Sequence, residues 1–451
     1  MVGRRKPEQG MTLVELMVTM IIASIVAAST YMFFAGQQRV YETQTKMLNV
    51  QQNAWAAMEV VSRFVRAAGS GMYGCVRQVG GLSNAPPYNR STGIDPDVSD
   101  APPIVPGAHT TDQCPSAGLR AYYQNALQRI PPVWIVDQVV DNGASTRGIV
   151  PGTDVITVAF GNRSSGTAFD SPLAAPVAAT TDTITAWAGN GPMFQTNEFI
   201  LLVGEGTPGM GGVASDIGCT LFQITGVAGD NLLHASSSTW NPGAGVAGMI
   251  PATSTYGVFA PGSPPTNPNT GIRNFGEFWW VRFAVRTTDQ NGNYLSAAGI
   301  ANAIHAIPVL TMERLDGASP TGPQMLAEGI EDLQVAYACD TLPLAGGPGT
   351  AAGDGVLPNG PNTATDEWML NDSNDVIATS NALKCNQPSA IRLTLVARSL
   401  TEDIGIDATL TDNGRPAVEN HAGHTQDSNF DTGRDQFRRR VLSTTVYPRN
   451  N

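Results

Sequence analysis

The sequence predicts an α+β protein: one long N-terminal α-helix, transmembrane in its first half and amphipathic in its second, then a β-rich head with a large β-rich insertion. Three observations carry this. From Leu16 to Ala35 there are 20 residues without a charge, enough to span a bilayer core of about 30 Å. Beyond them apolar residues keep recurring at helical spacing, and no proline falls between Pro7 and Pro86. From residue 72 onward, clusters of Gly, Pro, Asn and Ser separate short runs rich in β-branched and aromatic residues.

The first element opens as "RRKPEQGMTLVELMVTMIIASIVAAST", residues 4–30. Arg4, Arg5 and Lys6 precede the apolar run, which places the N-terminus in the cytoplasm and everything after residue 36 outside. A secretory signal peptide requires a shorter apolar core ending in a small-residue cleavage site, whereas this run continues through Met32-Phe33-Phe34. A plain anchor leaves Glu15 unexplained, because an unpaired carboxylate in such a segment costs at least about 2.5 kcal/mol.

The second half of the helix shows an apolar stripe at Val40, Met47, Val50, Ala54, Met58, Val61, Val65 and Ala68, with Arg39, Glu42, Lys46, Glu59 and Arg63 on the other faces. Gly69 and Gly71 supply the stop. A helix from Met11 to Ala68 would be roughly 87 Å long at 1.5 Å per residue.

Strands are expected at 133–140, 154–160, 182–187, 198–203, 220–227, 278–287, 333–338, 390–399 and 439–448, with "DQNGN" as a hairpin turn after the 278–287 strand. Residues of roughly 100–270 read as the insertion. No repeat of 20–50 residues is present.

Composition narrows the function classes. The net charge of −12 and the lack of a basic groove argue against a nucleic-acid partner. "GEGTPG" at 204–209 satisfies G-x-G-x-x-G, but Pro208 and the non-helical stretch after it supply no helix N-terminus for a pyrophosphate. His421 and His424 have no third ligand nearby, and the acidic stretch holding Asp340, Asp354, Asp366, Glu367, Asp372 and Asp375 lacks calcium-loop spacing, so no metal and no cofactor is expected. Glu331 and Asp332 are adjacent, so a strand sends them to opposite faces; they form no acid/base pair, and Glu331 reads as a structural hydrogen-bond acceptor. Five cysteines occur without a C-x-x-C. In an oxidising compartment four could pair, Cys339 with Cys385 across a Gly/Asn/Asp-rich loop and Cys75 with Cys114 across a Pro-rich loop; buried free thiols are the other reading.

"QG-MTLVEL" resembles the leader junction of class III type IV prepilins: short, basic, ending in Gly10, then Met11 and, five residues into the mature chain, Glu15. Met11 stands where phenylalanine is commoner. In the C-terminal half "IPVLTMERLDG" (307–317), "LAEGIEDLQVAYACD" (326–340), "SAIRLTLVARS" (389–399) and "RRRVLSTTVYPRN" (438–450) resemble the PilW type of minor pilin. That type carries L-x-x-G-[IV]-E-x-[LM]-Q-V-x-Y, then an arginine-ended strand. "VQQNAWAAMEVVSRFVRAAGSGMYGC" fits the same type, so the resemblance covers about residues 10–76 and 278–450 and leaves 77–277 unmatched.

The resemblance implies a non-enzymatic pilus subunit with a pilin-like head. Prepilin peptidase cuts between Gly10 and Met11 and methylates Met11, while Glu15 docks on a neighbouring subunit's N-terminal amine. A buried carboxylate and a buried ammonium are tolerable only when paired, so two charges matched between subunits favour assembly and fix its register. The implied organisation is a leader (1–10), an assembly half of the helix (11–36), its amphipathic half (37–69), a variable β-rich insertion (70–277) and a PilW-like sheet region (278–451). The implied partners are prepilin peptidase, other minor pilins and the major pilin, a tip adhesin and the inner-membrane assembly platform. The implied location is the inner membrane as precursor, then the surface pilus. A type II secretion pseudopilin shares the leader, Glu15 and helix, and a non-polymerising anchored adhesive domain shares the helix alone.

Overall fold

The computed structural model describes residues 12–71, 132–136, 149–150, 152–162, 170–174, 177–178, 183–205, 217–234, 258–259, 271–289, 291–295, 306–314, 321–338, 368–369, 390–401, 418–419 and 437–448. Helix α1 runs Leu13–Ala67, close to the expected span and about 82 Å long at 1.5 Å per residue. The strands in chain order are β1 (Val133–Val136), β2 (Val155–Asn162), β3 (Asp170–Ser171), β4 (Val177–Ala178), β5 (Thr183–Thr185), β6 (Phe199–Glu205), β7 (Ile217–Gln223), β8 (Gly226–Ala228) and β9 (Asn231–Leu233). They continue with β10 (Val258–Phe259), β11 (Gly271–Thr288), β12 (Ile307–Arg314), β13 (Thr321–Glu328), β14 (Ile330–Ala338), β15 (Trp368–Met369), β16 (Ala390–Arg398) and β17 (Arg439–Val446). Every pairing between them is antiparallel.

The principal sheet has the order β1-β2-β11-β12-β13, with β3 and the β6–β7 pair joined to the N-terminal half of β11; the second sheet has the order β15-β14-β16-β17. One backbone joins the two sheets, because β13 leads directly into β14 through Gly329 at φ +77°. A second tie comes from Asp154, whose N–H donates to the Leu333 carbonyl (2.8 Å) and whose carboxylate accepts from the Val335 N–H (2.7 Å).

Helix α1 packs its C-terminal half across both sheets. Val50, Ala54, Ala57, Met58, Val61 and Val65 are buried in a core shared with Val155, Val158, Val281, Phe283, Leu333, Val335, Leu393 and Leu395. Each Val or Met buried there contributes on the order of 1.5–3 kcal/mol. The expected stripe holds from Val50 onward, but Val40 is exposed and Met47 only half-buried, so the head begins to cover the helix later than the periodicity suggests. The helix terminus is fastened to β2: the Gly69 N–H donates to the Ala159 carbonyl (2.9 Å) and the Gly161 N–H to the Ser70 carbonyl (2.8 Å).

The sequence reading gave no strand to β12 or β13. In β13 Gly322 and Pro323 imitate a turn signal, and the strand is an edge, where proline is tolerated. The 220–227 run divides into β7 and β8, while the 278–287 run begins seven residues earlier, at Gly271. β11 accommodates that length by a bulge between Asn274 and Gly276, where the Gly276 N–H donates to Asn274 Oδ1 (2.7 Å). The 277/278 boundary therefore falls inside one strand, and β2 crosses it by pairing from Asn162↔Glu277 to Ile156↔Phe283. The expected turn after this strand is present: Asp289 Oδ1 accepts from the Asn291 and Asn293 N–H groups (both 2.8 Å), and Thr288 bridges Tyr294.

A second core, of Leu173, Ile184, Ala186, Phe194, Ile200, Leu202, Phe222, Ile224, Leu232 and Ile272, lies under the small sheet β5-β9-β8. This lobe belongs wholly to the stretch for which the sequence offered no resemblance.

Candidate functional site

The front of α1 is the first candidate. Thr12 caps the helix in a capping box: the Glu15 N–H donates to Thr12 Oγ1 (3.3 Å), while Glu15 Oε2 accepts from the Thr12 N–H (2.9 Å) and hydroxyl (3.0 Å). The carboxylate expected to be unpaired in the monomer is therefore hydrogen-bonded at the helix N-terminus, where the macrodipole also favours it, although no counter-charge faces it among the described residues. Arg4, Arg5, Lys6, Gly10 and Met11 lie outside the described residues. The following turns are long and apolar enough to cross a membrane, and none of the most apolar window is buried against the head. Thr19, Ser24, Ser29 and Thr30 return their hydroxyls to carbonyls three or four residues back, which satisfies each polar group within the helix itself.

From the end of the apolar run a stripe of large side chains continues at intervals of seven: Phe34, Tyr41, Leu48 and Trp55 are 63, 70, 56 and 63% exposed. Leu48 and the buried Ala57 are nine residues apart, a rotation of about 180° at 100° per residue, so the stripe lies on the face opposite the head. Sequence reasoning assigned one apolar face to this half of the helix and missed the second. The signal was present in the constant spacing of seven, which suits packing along another helix.

The second candidate is a buried charge cluster in the head. Glu331 in β14 accepts from Arg439 Nε of β17 at 2.5 Å and lies 3.9 Å from Arg398 Nε of β16, all three side chains being nearly inaccessible. Arg398 also lies over the Phe437 ring (4.0 Å) and donates through Nη2 to the Ala306 carbonyl (2.9 Å). Its N–H donates to the Gly329 carbonyl (2.7 Å), and the Gly329 N–H donates to the Pro308 carbonyl (2.7 Å). A Cβ on residue 329 would sit 2.6 Å from the Arg398 carbonyl oxygen, which together with its φ restricts the position to glycine. Segments far apart in sequence thus meet at one corner. Glu331 is the structural acceptor expected of it, while Asp332 turns away to accept from Gln334 Nε2 (2.9 Å). Arg398 and Arg439 were not singled out from sequence, where each stands among other arginines: β16 also carries Arg392, and Arg439 lies between Arg438 and Arg440.

A parallel arrangement holds β11 to β12. The buried Arg286 donates to Glu313 (3.1 Å) and Thr311 Oγ1 (3.2 Å), with Arg282 Nη1 3.8 Å from the same carboxylate. Both clusters set two arginines against one carboxylate across neighbouring strands, an arrangement that fastens the sheets. Among the described residues no group of His, Cys, Asp and Glu side chains is disposed to hold a metal. Cys75, Cys114, Cys339 and Cys385 fall outside the described residues, as do His421, His424 and the acidic stretch from Asp340 to Asp366.

Residues 287–450 match the family model of type IV pilus-assembly protein W, and residues 5–31 match the prokaryotic N-terminal methylation motif. No curated protein and no solved structure matches the chain. These families point to a structural role in pilus assembly, in contact with the peptidase and other pilus components, and the apolar helix fits a precursor anchored in the inner membrane. With the methylation motif in front and the pilus-assembly region behind, on one chain with a single long helix, the sequence matches a PilW-type minor pilin.

Proposed function

We propose that this chain is a minor pilin of the type IV pilus, processed between Gly10 and Met11 and incorporated in a complex at the fibre tip that primes assembly and presents an adhesin. The observation that carries the reading is the helix: an exposed apolar front half leads into a second exposed stripe, opposite a head matching the pilus-assembly family. Docking exchanges the Thr12 hydrogen bonds of Glu15 for a neighbour's terminal ammonium, which adds a full opposite charge to what Thr12 supplies as a neutral donor. The capping box keeps the carboxylate satisfied until then. The sequence divides, on this reading, into the leader, the two helix halves, the insertion and the pilus-assembly region, and the mature protein moves from the inner membrane to the surface fibre. A large head favours the tip, because bulk crowds a helical shaft.

Mass spectrometry of pili sheared from cells tests this. A peptide beginning at N-methylated Met11 is expected in the fibre fraction, and deletion of the gene should reduce the number of surface pili. A processed chain confined to membranes, with normal pili and a secretion defect, would establish a type II secretion pseudopilin instead. A chain still beginning at residue 1 would leave a plain anchor.

A further inference from the structure

From Ser164 to Ile272 the sequence contains no lysine and no arginine. The lobe of β5, β8 and β9 lies inside this cation-free stretch and outside both family matches, so nothing in the pilus-assembly assignment accounts for it. Its inner face is apolar, with Ile184, Ala186 and Leu232 buried. Strand alternation sends Thr183, Thr185 and Trp187 outward, and likewise Asn231 and Leu233 on the paired strand. Trp187 is 41% exposed. The Ala186 N–H donates to the Asp230 carbonyl (2.8 Å), which continues the β5–β9 register and sets Trp187 across from Gly229. At Gly189 and at Gly229 an added Cβ would meet nothing within 4 Å among the described residues, which leave the space beside these glycines open.

The surroundings of the indole are held in place. Asp230 Oδ1 accepts from the Gly189 and Gly191 N–H groups (3.0 Å each), which pins the loop that follows Trp187. Ser171 Oγ accepts from the Trp187 N–H and from Asn190 Nδ2 (both 3.1 Å). Thr185 Oγ1 donates to Asn231 Oδ1 (3.0 Å), which turns the Asn231 amide nitrogen to the opposite side of that group. Glu198 is buried and accepts from Asn274 Nδ2 (3.0 Å), so it adds no exposed charge.

We propose that this face binds a neutral carbohydrate chain. The exposed indole stacks on the C–H face of a sugar ring, while Thr183, Thr185, Asn231 and the Asp230 carboxylate meet its hydroxyl groups. Charge selects the occupant: the stretch itself offers an anionic glycan, a nucleic acid or an anionic membrane no cation, Arg273 beside it in β11 is held by Asp170 (3.3 Å), and Asp230 repels them. The hydrogen-bonded loop presents the site pre-ordered, which lowers the entropic cost of binding.

The test uses the full chain solubilised in lauryldimethylamine oxide, whose headgroup is not a sugar. Maltohexaose, cellohexaose and chitohexaose are titrated by calorimetry, with hexagalacturonate as the acidic counterpart. At least one neutral oligosaccharide is expected to bind. Trp187→Ala should weaken that binding about tenfold, Trp187→Phe by less, and Trp55→Ala, on the helix, should leave it unchanged. Circular dichroism of each variant separates loss of the face from loss of the fold, and Trp187→Phe keeps the test valid if the alanine variant unfolds. Absence of binding by all three neutral probes, preference for hexagalacturonate, or equal affinity in the folded Trp187→Phe and Trp187→Ala variants and the parent would overturn the proposal. So would loss of pili in Trp187→Ala without any sugar binding, which would mark the face as a protein contact. The titration is independent of fibre incorporation, so its failure leaves the pilus reading untouched.

Discussion

Glu331 links three strands of the head, facing Arg398 of β16 and Arg439 of β17 from β14. The side chains of both arginines facing it are nearly inaccessible, and charges taken out of water are tolerable only while matched. Glu331→Gln keeps the shape but removes the negative charge that Arg439 and Arg398 face. The expected loss is about 3–5 kcal/mol, read as a lowered urea midpoint of the full chain; an unchanged midpoint would mean the cluster is incidental. Gly329→Ala attacks the same corner through the backbone. The left-handed φ costs on the order of 1–3 kcal/mol for a non-glycine residue, and the 2.6 Å approach to the Arg398 carbonyl adds to it. Gly329 and Glu331 were legible as spaced residues of a resemblance, and Glu331 as an acceptor. Their partners were not, because nothing local in "LTLVARS" or "RRRVLS" says which strands will lie side by side.

At the scale of elements, legibility followed the range of the forces involved. Helix α1 was readable almost to the residue, since charge-free length, 3.6-residue periodicity and a glycine stop are all local. The 289–294 turn was equally readable, because Asp289 closes it within five residues. That closure sets a pH dependence. The Asn293 side chain and N–H, followed by the Asn291 N–H, hold the Asp289 carboxyl below its ordinary value. A depressed pKa in the folded chain stabilises above the ordinary value of about 3.9 and is lost as pH falls through the lower, folded value. The stability difference between the parent and Asp289→Asn, measured by urea unfolding, should be constant above about pH 5 and shrink below about pH 4. A constant gap down to pH 2 would refute this. β12 and β13 were illegible because β13 imitates a turn, and the exposed stripe was illegible as a site because exposure is a tertiary property. Leu48→Glu and Trp55→Glu place charges on that stripe, away from the head core. Head stability should change by less than about 0.5 kcal/mol while incorporation into pili falls; destabilised heads with normal incorporation would remove the stripe from assembly.

For the whole molecule, the question is whether the helix is an anchor or an assembly device, and Glu15 separates the two. Among the described residues its carboxylate accepts only from Thr12, so Glu15→Ala removes half of a capping box, a small loss confined to one helix end. Membrane insertion should be unaffected or improved, because a carboxylate in the apolar segment is itself unfavourable. The head, whose described core meets the helix from Val50 onward, should fold as before. An anchored domain that never polymerises would therefore tolerate the change. A polymerising subunit would not, since the incoming ammonium of its neighbour would meet no counter-charge in a low-dielectric fibre core, at a penalty of several kcal/mol. The measurement is quantitative blotting of membrane and sheared-pilus fractions for the parent, Glu15→Ala and Glu15→Asp. Parent-level protein in membranes with the alanine variant missing from pili, and partial recovery by aspartate, is the expected pattern. Equal incorporation of all three chains would show that the glutamate serves the helix cap alone, and equal absence would return the protein to the anchored reading.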